Sequence, residues 1–176
     1  MKNIFNIVIL LILLITNNIS YADTKIVYLD IDKVFKNSKG GLSLLNKMKE
    51  LEKKELQTLK KDEDRLKNIE KKLISQKNIL SEEEFNKKID LFKNDVEIYN
   101  KKNKLIRDNI LNIKKKNTNL FLDDINQIVI EYASQNSIDI ILPKQNIIMG
   151  KTELDLTNSI IDLTDQKIKK IEIKWF

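Results

Sequence analysis

The 176-residue chain has no cysteine, no histidine, only three glycines and a single proline. Without cysteine no disulfide can form, so in an oxidising compartment stability must come from packing. Without histidine the commonest general base and metal ligand is missing. No P-loop, glycine-rich dinucleotide turn or metal-ligand spacing occurs. The carboxylate clusters "SEEEF" (81–85) and "DED" (62–64) do not supply an active site, because adjacent acids on a helix point in different directions. The residues therefore read as no enzyme, no cofactor and no metal. Gly40, Gly41, Gly150 and Pro143 are the only strong breakers, so long uninterrupted elements are expected.

What is present begins with "MKNIFNIVILLILLITNNISYA". It has one early lysine, an apolar run from Ile4 to Ile15, and small residues at Ser20 and Ala22. The run is 12 residues, against the ~20 that a membrane span needs. Residues 1–22 read as a secretory signal peptide; the alternative is an N-terminal membrane anchor. Asp23, not cysteine, follows the expected cut, so the usual lipid-anchored cysteine is absent.

The remaining chain divides into 23–41, 42–120 and 121–176. "TKIVYLD" (24–30) is β-branched and aromatic and reads as a strand; "DKVFKNSKGG" follows as a short helical turn and a glycine pair. "SIDIILP" and "NIIMG", separated by Lys144 and Gln145, read as a hairpin-like pair of strands. "DLTNSIIDLTDQKIKKIEI" restarts a helix that Asp155 or Thr157 can cap.

Between these lies a Lys/Glu/Leu-rich run. From Phe85, alternating steps of four and three land on Ile89, Phe92, Val96, Tyr99, Asn103, Ile106, Ile110, Ile113, Asn117 and Leu120, a sustained heptad seam. Its two asparagines are residues that can fix coiled-coil register at some cost in stability. Before residue 75 the seam is weaker: Leu45, Met48, Leu59, Leu66, Ile69 and Leu73 fit, but Glu52, Glu55, Asp62 and Gln76 interrupt. Ser81 with Glu84 three residues later has capping-box spacing, and Glu82, Glu83 and Glu84 suit the positive end of a new helix. One continuous helix is the alternative. The reading preferred is a hairpin with its tip near 75–81, because two imperfect seams can cover each other. Beyond Leu120 the apolar positions shift to Phe121, Ile125, Ile128, Val129 and Tyr132, a broader face suited to packing on a sheet. The fold class expected is thus α+β: a small β-rich oligomerisation body with a long antiparallel helical-hairpin, coiled-coil arm.

So few short strands cannot bury a large core alone. Ile26, Val27, Leu29, Ile140, Ile141 and Leu142 look buried on both sheet faces, which points to an oligomer interface; burial by the final helix within one chain is the alternative.

From Lys47 to Thr118 there are 21 Lys/Arg and 14 Asp/Glu, a net of +7. The arm is therefore basic. Lys101, Lys102, Lys104, Arg107, Lys114, Lys115 and Lys116 are its densest patches, able to attract anionic lipid or lipopolysaccharide surfaces or acidic partners through diffuse charge; an ordinary solvated helix face is the other reading. Ile74, Ile79, Leu80 and Phe85 near the tip are candidate apolar contacts for a client, or else helix-packing residues, and Leu56, Leu91 and Ile98 lie off the main seam. A sequence pI of about 9.2 raises nucleic acid as a partner. Only two arginines, no reading module and an export signal argue for no nucleic acid.

The segments "KIVYLDIDKVFKNS", "LISQKNILSEEEFNKK" and "YASQNSIDIILPKQNIIMGKTELDLTNSIIDL", in this order, resemble the Skp/OmpH family of periplasmic chaperones. The resemblance spans nearly the whole exported chain, with "TDQKIKKIEIKWF" running past it. It implies a β-rich body that joins three subunits, "KIVYLDI" and "IDIILP" helping to build the homotrimer, and three arms enclosing a cavity. It implies a soluble periplasmic holdase, independent of ATP, that binds unfolded outer-membrane β-barrel proteins and prevents their aggregation in transit. The rival expectation is a structural or adaptor coiled-coil protein of an envelope complex.

Overall fold

The computed structural model describes residues 24–174; the expected signal peptide at 1–22 lies outside the described residues. The order is β1 (Ile26–Leu29), α1 (Ile31–Asn37), α2 (Lys39–Gln76), α3 (Glu82–Gln135), β2 (Ile140–Pro143) and α4 (Thr157–Lys167), with single 3-10 turns at Lys144–Asn146 and Thr152–Leu154. At ~1.5 Å per residue, α2 is about 57 Å long and α3 about 80 Å. They pack as an antiparallel hairpin standing on a small body.

Each helix start has a local cause. Asp30 caps α1 by accepting from the Lys33 amide at 2.9 Å. Ser38 alone separates α1 from α2, and its hydroxyl accepts from the Gly41 amide at 3.2 Å. At the tip the Ser81 hydroxyl accepts from the Glu84 amide while the Ser81 amide donates to the Glu84 carboxylate, a reciprocal capping box that satisfies two otherwise orphaned donors. At α4 the side chain of Asp155 accepts from the Thr157 amide at 3.0 Å, and the Leu156 amide donates to the Tyr28 carbonyl at 2.9 Å.

The two strands run parallel, with Ile26 opposite Ile140 and Leu29 opposite Pro143. Parallel strands require a crossover, and here the crossover is the entire arm. Val27 and Leu29 face inward with Val34, Leu44, Met48, Phe121, Ile125, Leu156 and Ile160, all buried, to form the core. Phe35 and Phe121 pack with ring centroids 5.5 Å apart and their planes tilted by 56°. The broad face of α3, from Phe121 through Ile128, therefore packs into the body, and α4 covers the inner face of the sheet.

Three expectations are corrected. "NIIMG" is not a strand: residues 144–146 form a 3-10 turn, and Ile148 and Met149 are fully exposed. Apolar residues there supply no alternating face, and Tyr28 instead takes up the remaining pairing through a bridge to Asp155. The sheet is therefore not a hairpin of neighbours but a parallel pair closed across the arm. The glycine pair does not break the chain; Gly40 and Gly41 lie in the first turn of α2. The arm helix consequently starts at Lys39 rather than 42; α3, whose end was expected within 121–176, runs to Gln135.

Candidate functional site

The arm is built on the seam. Every position from Phe85 to Leu120 that the heptad rule selects is buried or half-buried, as are Leu45, Met48, Leu59, Leu66, Ile69 and Leu73 on α2. Three of the four polar interruptions in the α2 seam, Glu52, Asp62 and Gln76, are matched from the other side. Lys114 reaches Glu52 at 2.6 Å, Lys102 reaches Asp62 at 2.6 Å, and Lys88 donates to Gln76 at 2.8 Å. Arg65 adds a pair with Asp95 at 2.9 Å. As the α2 number rises its partner's number falls, which fixes one antiparallel register. Exposed pairs of this kind contribute only ~0–1 kcal/mol each; a slipped register, however, would leave them all unmatched. The hydrogen bond from Lys102 holds the Asp62 carboxyl below its ordinary value, and that from Lys101 does the same to Glu97.

Because the seam satisfies itself, apolar side chains off it stay in solvent. Ile74 and Ile79 at the tip are 70% and 79% exposed. Leu80 and Phe85, grouped with them by sequence, are half-buried. Between the helices just below the tip is a recess of about 300 Å³ floored by Ile69, Leu73, Leu91 and Phe92. Leu91, Ile98 and Leu105 form a second ladder at seven-residue spacing along α3, each more than half exposed. Leu105 was missed by the sequence reading, although adding seven to Ile98 finds it.

The basic patches are partly consumed within the arm. Lys101 pairs with Glu97 at 2.6 Å, Lys102 and Lys114 make the cross-arm pairs above, and Arg107 donates to Asn103 at 2.6 Å. Of the seven residues of these patches, Lys104, Lys115 and Lys116 included, all but Lys114 are exposed. These pairs leave the net charge of +7 over residues 47–118 unchanged, because that count already subtracts the acids.

In the body the six sheet residues separate by face. Val27 and Leu29 are buried and Ile141 packs against the core. Ile26 and Ile140, both 43% exposed, and Leu142, 37% exposed, lie on the outer face. Tyr28 shares that face but is covered, its hydroxyl donating to the Lys151 carbonyl at 3.0 Å and the Lys144 ammonium 5.9 Å from its ring. The free edge of β2 has no strand partner among the described residues, leaving unpaired backbone groups beside an apolar face. No helix among the described residues is long and apolar enough to cross a membrane.

Comparison with known proteins adds two findings and one absence. Residues 25–163 match the family model described as outer membrane protein (OmpH-like). The fold is similar to that of a Caulobacter crescentus CB15 protein described as an OmpH-like outer membrane chaperone. The TM-score is 0.81 at 12% identity, covering 91% of this chain and 95% of that one. At that identity the likeness is one of fold. No curated protein matches the chain by sequence.

Proposed function

We propose, from the premise that this chain belongs to the OmpH-like outer membrane protein family, that it is a soluble periplasmic holdase chaperone. It captures unfolded outer-membrane β-barrel proteins without ATP and shields them from aggregation until they reach the membrane. The observation that carries this reading is the set of exposed apolar side chains on the arm, Ile74, Ile79, Leu91, Ile98 and Leu105, which the hairpin does not need for its own packing. They offer many weak contacts without one fixed geometry, as a binder of unrelated unfolded chains requires.

Magnitudes favour an oligomer. Partial burial of each such side chain is worth about 1 kcal/mol, so five give roughly 5 kcal/mol, near millimolar affinity. Several arms around one client raise this by multivalency. The apolar outer face with Ile26, Ile140 and Leu142, beside the free β2 edge, is the surface on which a homotrimer would join. The exposed lysines would add salt-sensitive attraction to acidic clients or anionic lipid and lipopolysaccharide surfaces.

The test is aggregation of several unrelated barrel proteins diluted from denaturant, with and without the purified protein. Suppression of all of them is expected, lost in large part in an Ile140→Asp variant whose mass by light scattering falls to that of one chain. Equal aggregation with and without the protein overturns the reading; a fixed complex with one folded partner in its place would instead mark an adaptor.

A further inference from the structure

Asn117 does something a register-setting seam residue need not do. It is only 3% exposed. Its side-chain oxygen accepts from the Lys174 amide at 2.9 Å and its amide nitrogen donates to the Lys174 carbonyl at 3.0 Å. Those two bonds are the pair that a neighbouring strand gives to one residue of an extended chain. A side-chain carboxamide here replaces a strand edge, for a segment, 168–174, that forms no regular element.

Three further features seat that segment. Ile168, Ile171 and Ile173 pack against the core. Glu172, between the last two, pairs with Lys47 of α2 at 2.8 Å. A Cβ on Gly40 would stand 2.9 Å from the Ile168 carbonyl oxygen and 3.1 Å from the Phe121 ring, so the bare backbone of α2 makes room for it. The segment therefore lies across both helices at the root of the arm, touching α2 at Gly40 and Lys47 and α3 at Asn117.

We infer that this root groove is a binding site for one extended strand, and that residues 168–174, which alternate apolar and polar from Ile171 to Lys174, are its resident occupant. Asn117 reads backbone, which every peptide has, and the apolar floor reads alternate side chains, which leaves sequence otherwise free. The resident sequence Ile171-Glu172-Ile173-Lys174 has the alternation of a membrane-barrel strand. That the outside ligand is such a strand from a client rests on the chaperone reading above; the groove and its occupant do not. A tethered occupant acts at an effective concentration of about millimolar. It keeps isolated weak strands out and yields to a client already gathered by the arms.

The experiment uses the full chain and a labelled peptide with the sequence of residues 168–174. In the double variant Ile171→Asp/Ile173→Asp, with folding checked by circular dichroism, the resident is released and the peptide should bind at least tenfold tighter than to the unaltered protein. Adding Asn117→Leu, which keeps the seam apolar, should remove that binding. Equal binding to released and unaltered protein, or none to the folded released variant, overturns the inference. Should the double variant not fold, the unaltered protein decides: the Lys174 amide should be protected from hydrogen exchange and lose that protection under excess peptide, and unchanged exchange overturns the inference. If the unaltered protein fails to suppress barrel aggregation while the released variant still binds peptide, the chaperone reading falls and this site stands.

Discussion

Replacing Gly41 by alanine sets two effects against each other. In a helix interior alanine is favoured over glycine by about 1 kcal/mol, and Gly41 sits in the first turn of α2, so propensity alone predicts a more stable protein. The packing predicts the opposite. A Cβ at Gly41 would lie 1.7 Å from the carbonyl oxygen of Phe35 and 2.8 Å from its carbon. Both are backbone atoms of α1, which cannot rotate away as a side chain can. Relieving the contact needs α1 to move off by roughly 1.5 Å, enough to forfeit most of the dispersion contacts across that face. Val34, fully buried on α1, would be drawn partly out of the core. Overpacking typically costs about 1–3 kcal/mol, and a rigid backbone obstacle belongs at or above the upper end, so the net loss should be about 2–3 kcal/mol. For a domain of this size that lowers the melting temperature by roughly 4–12 °C. The assay is thermal and urea unfolding at one fixed protein concentration, because association would shift the midpoint. Gly40→Ala, whose new Cβ meets only the movable 168–174 segment and a ring edge, should cost less. A midpoint for Gly41→Ala equal to or above that of the unaltered protein would refute the close crossing of α1 on α2.

Other outcomes follow from the arm. Leu59 is buried in the seam, and Leu59→Ala should cost about 2–3 kcal/mol by urea unfolding followed at 222 nm; a loss below about 1 kcal/mol would mean that the helices do not interlock there. Ile74→Ser with Ile79→Ser should change stability by no more than about 0.5 kcal/mol yet weaken suppression of barrel aggregation; unimpaired suppression would remove the tip from the client surface. The Asp62 carboxyl is held low by Lys102. With the folded value depressed, its stabilisation is present above the ordinary carboxylate value of about 3.9 and is lost as pH falls through the lower folded one. Lys102→Met should therefore flatten part of the acid-side loss of stability, and an acid limb identical to that of the unaltered protein would count against the cross-arm pair.

The parts legible in the sequence were those with a local cause. Ser81 with Glu84, followed by a four-three seam, specifies a helix start and a partner-facing stripe without reference to anything distant. The parts that were not legible depend on distant partners. Nothing around Ile140 says that it pairs parallel with Ile26, because strand direction is set by what the intervening chain does. "NIIMG" has strand composition but meets no neighbouring strand edge. Gly40 and Gly41 look like punctuation, and their real role, allowing one backbone to lie on another, needs Phe35 and Ile168 in view. Asn117 reads as a coiled-coil register residue because the seam predicts its burial but not its hydrogen-bond partner. Among the functional candidates, composition located the exposed tip residues Ile74 and Ile79, whereas the internal pairing of Lys102 and Lys114 was hidden in the weaker α2 seam, whose acids at 52 and 62 were the available signal.

The parallel pairing of β1 with β2 joins residues 114 apart in sequence, as the bond from the Lys25 amide to Asp139 shows. Closing a floppy loop of that length carries a large entropic cost, and folds dominated by such distant contacts form slowly. Here the intervening chain is a hairpin that can zip from its tip through contacts between residues only tens of positions apart. Once zipped, it delivers both strand segments to the same place, so the projecting rods also serve as the splint on which the hub is assembled. Damage at the far end of a rod should therefore slow the maturation of a hub some tens of ångströms away, even where the finished molecule is scarcely less stable.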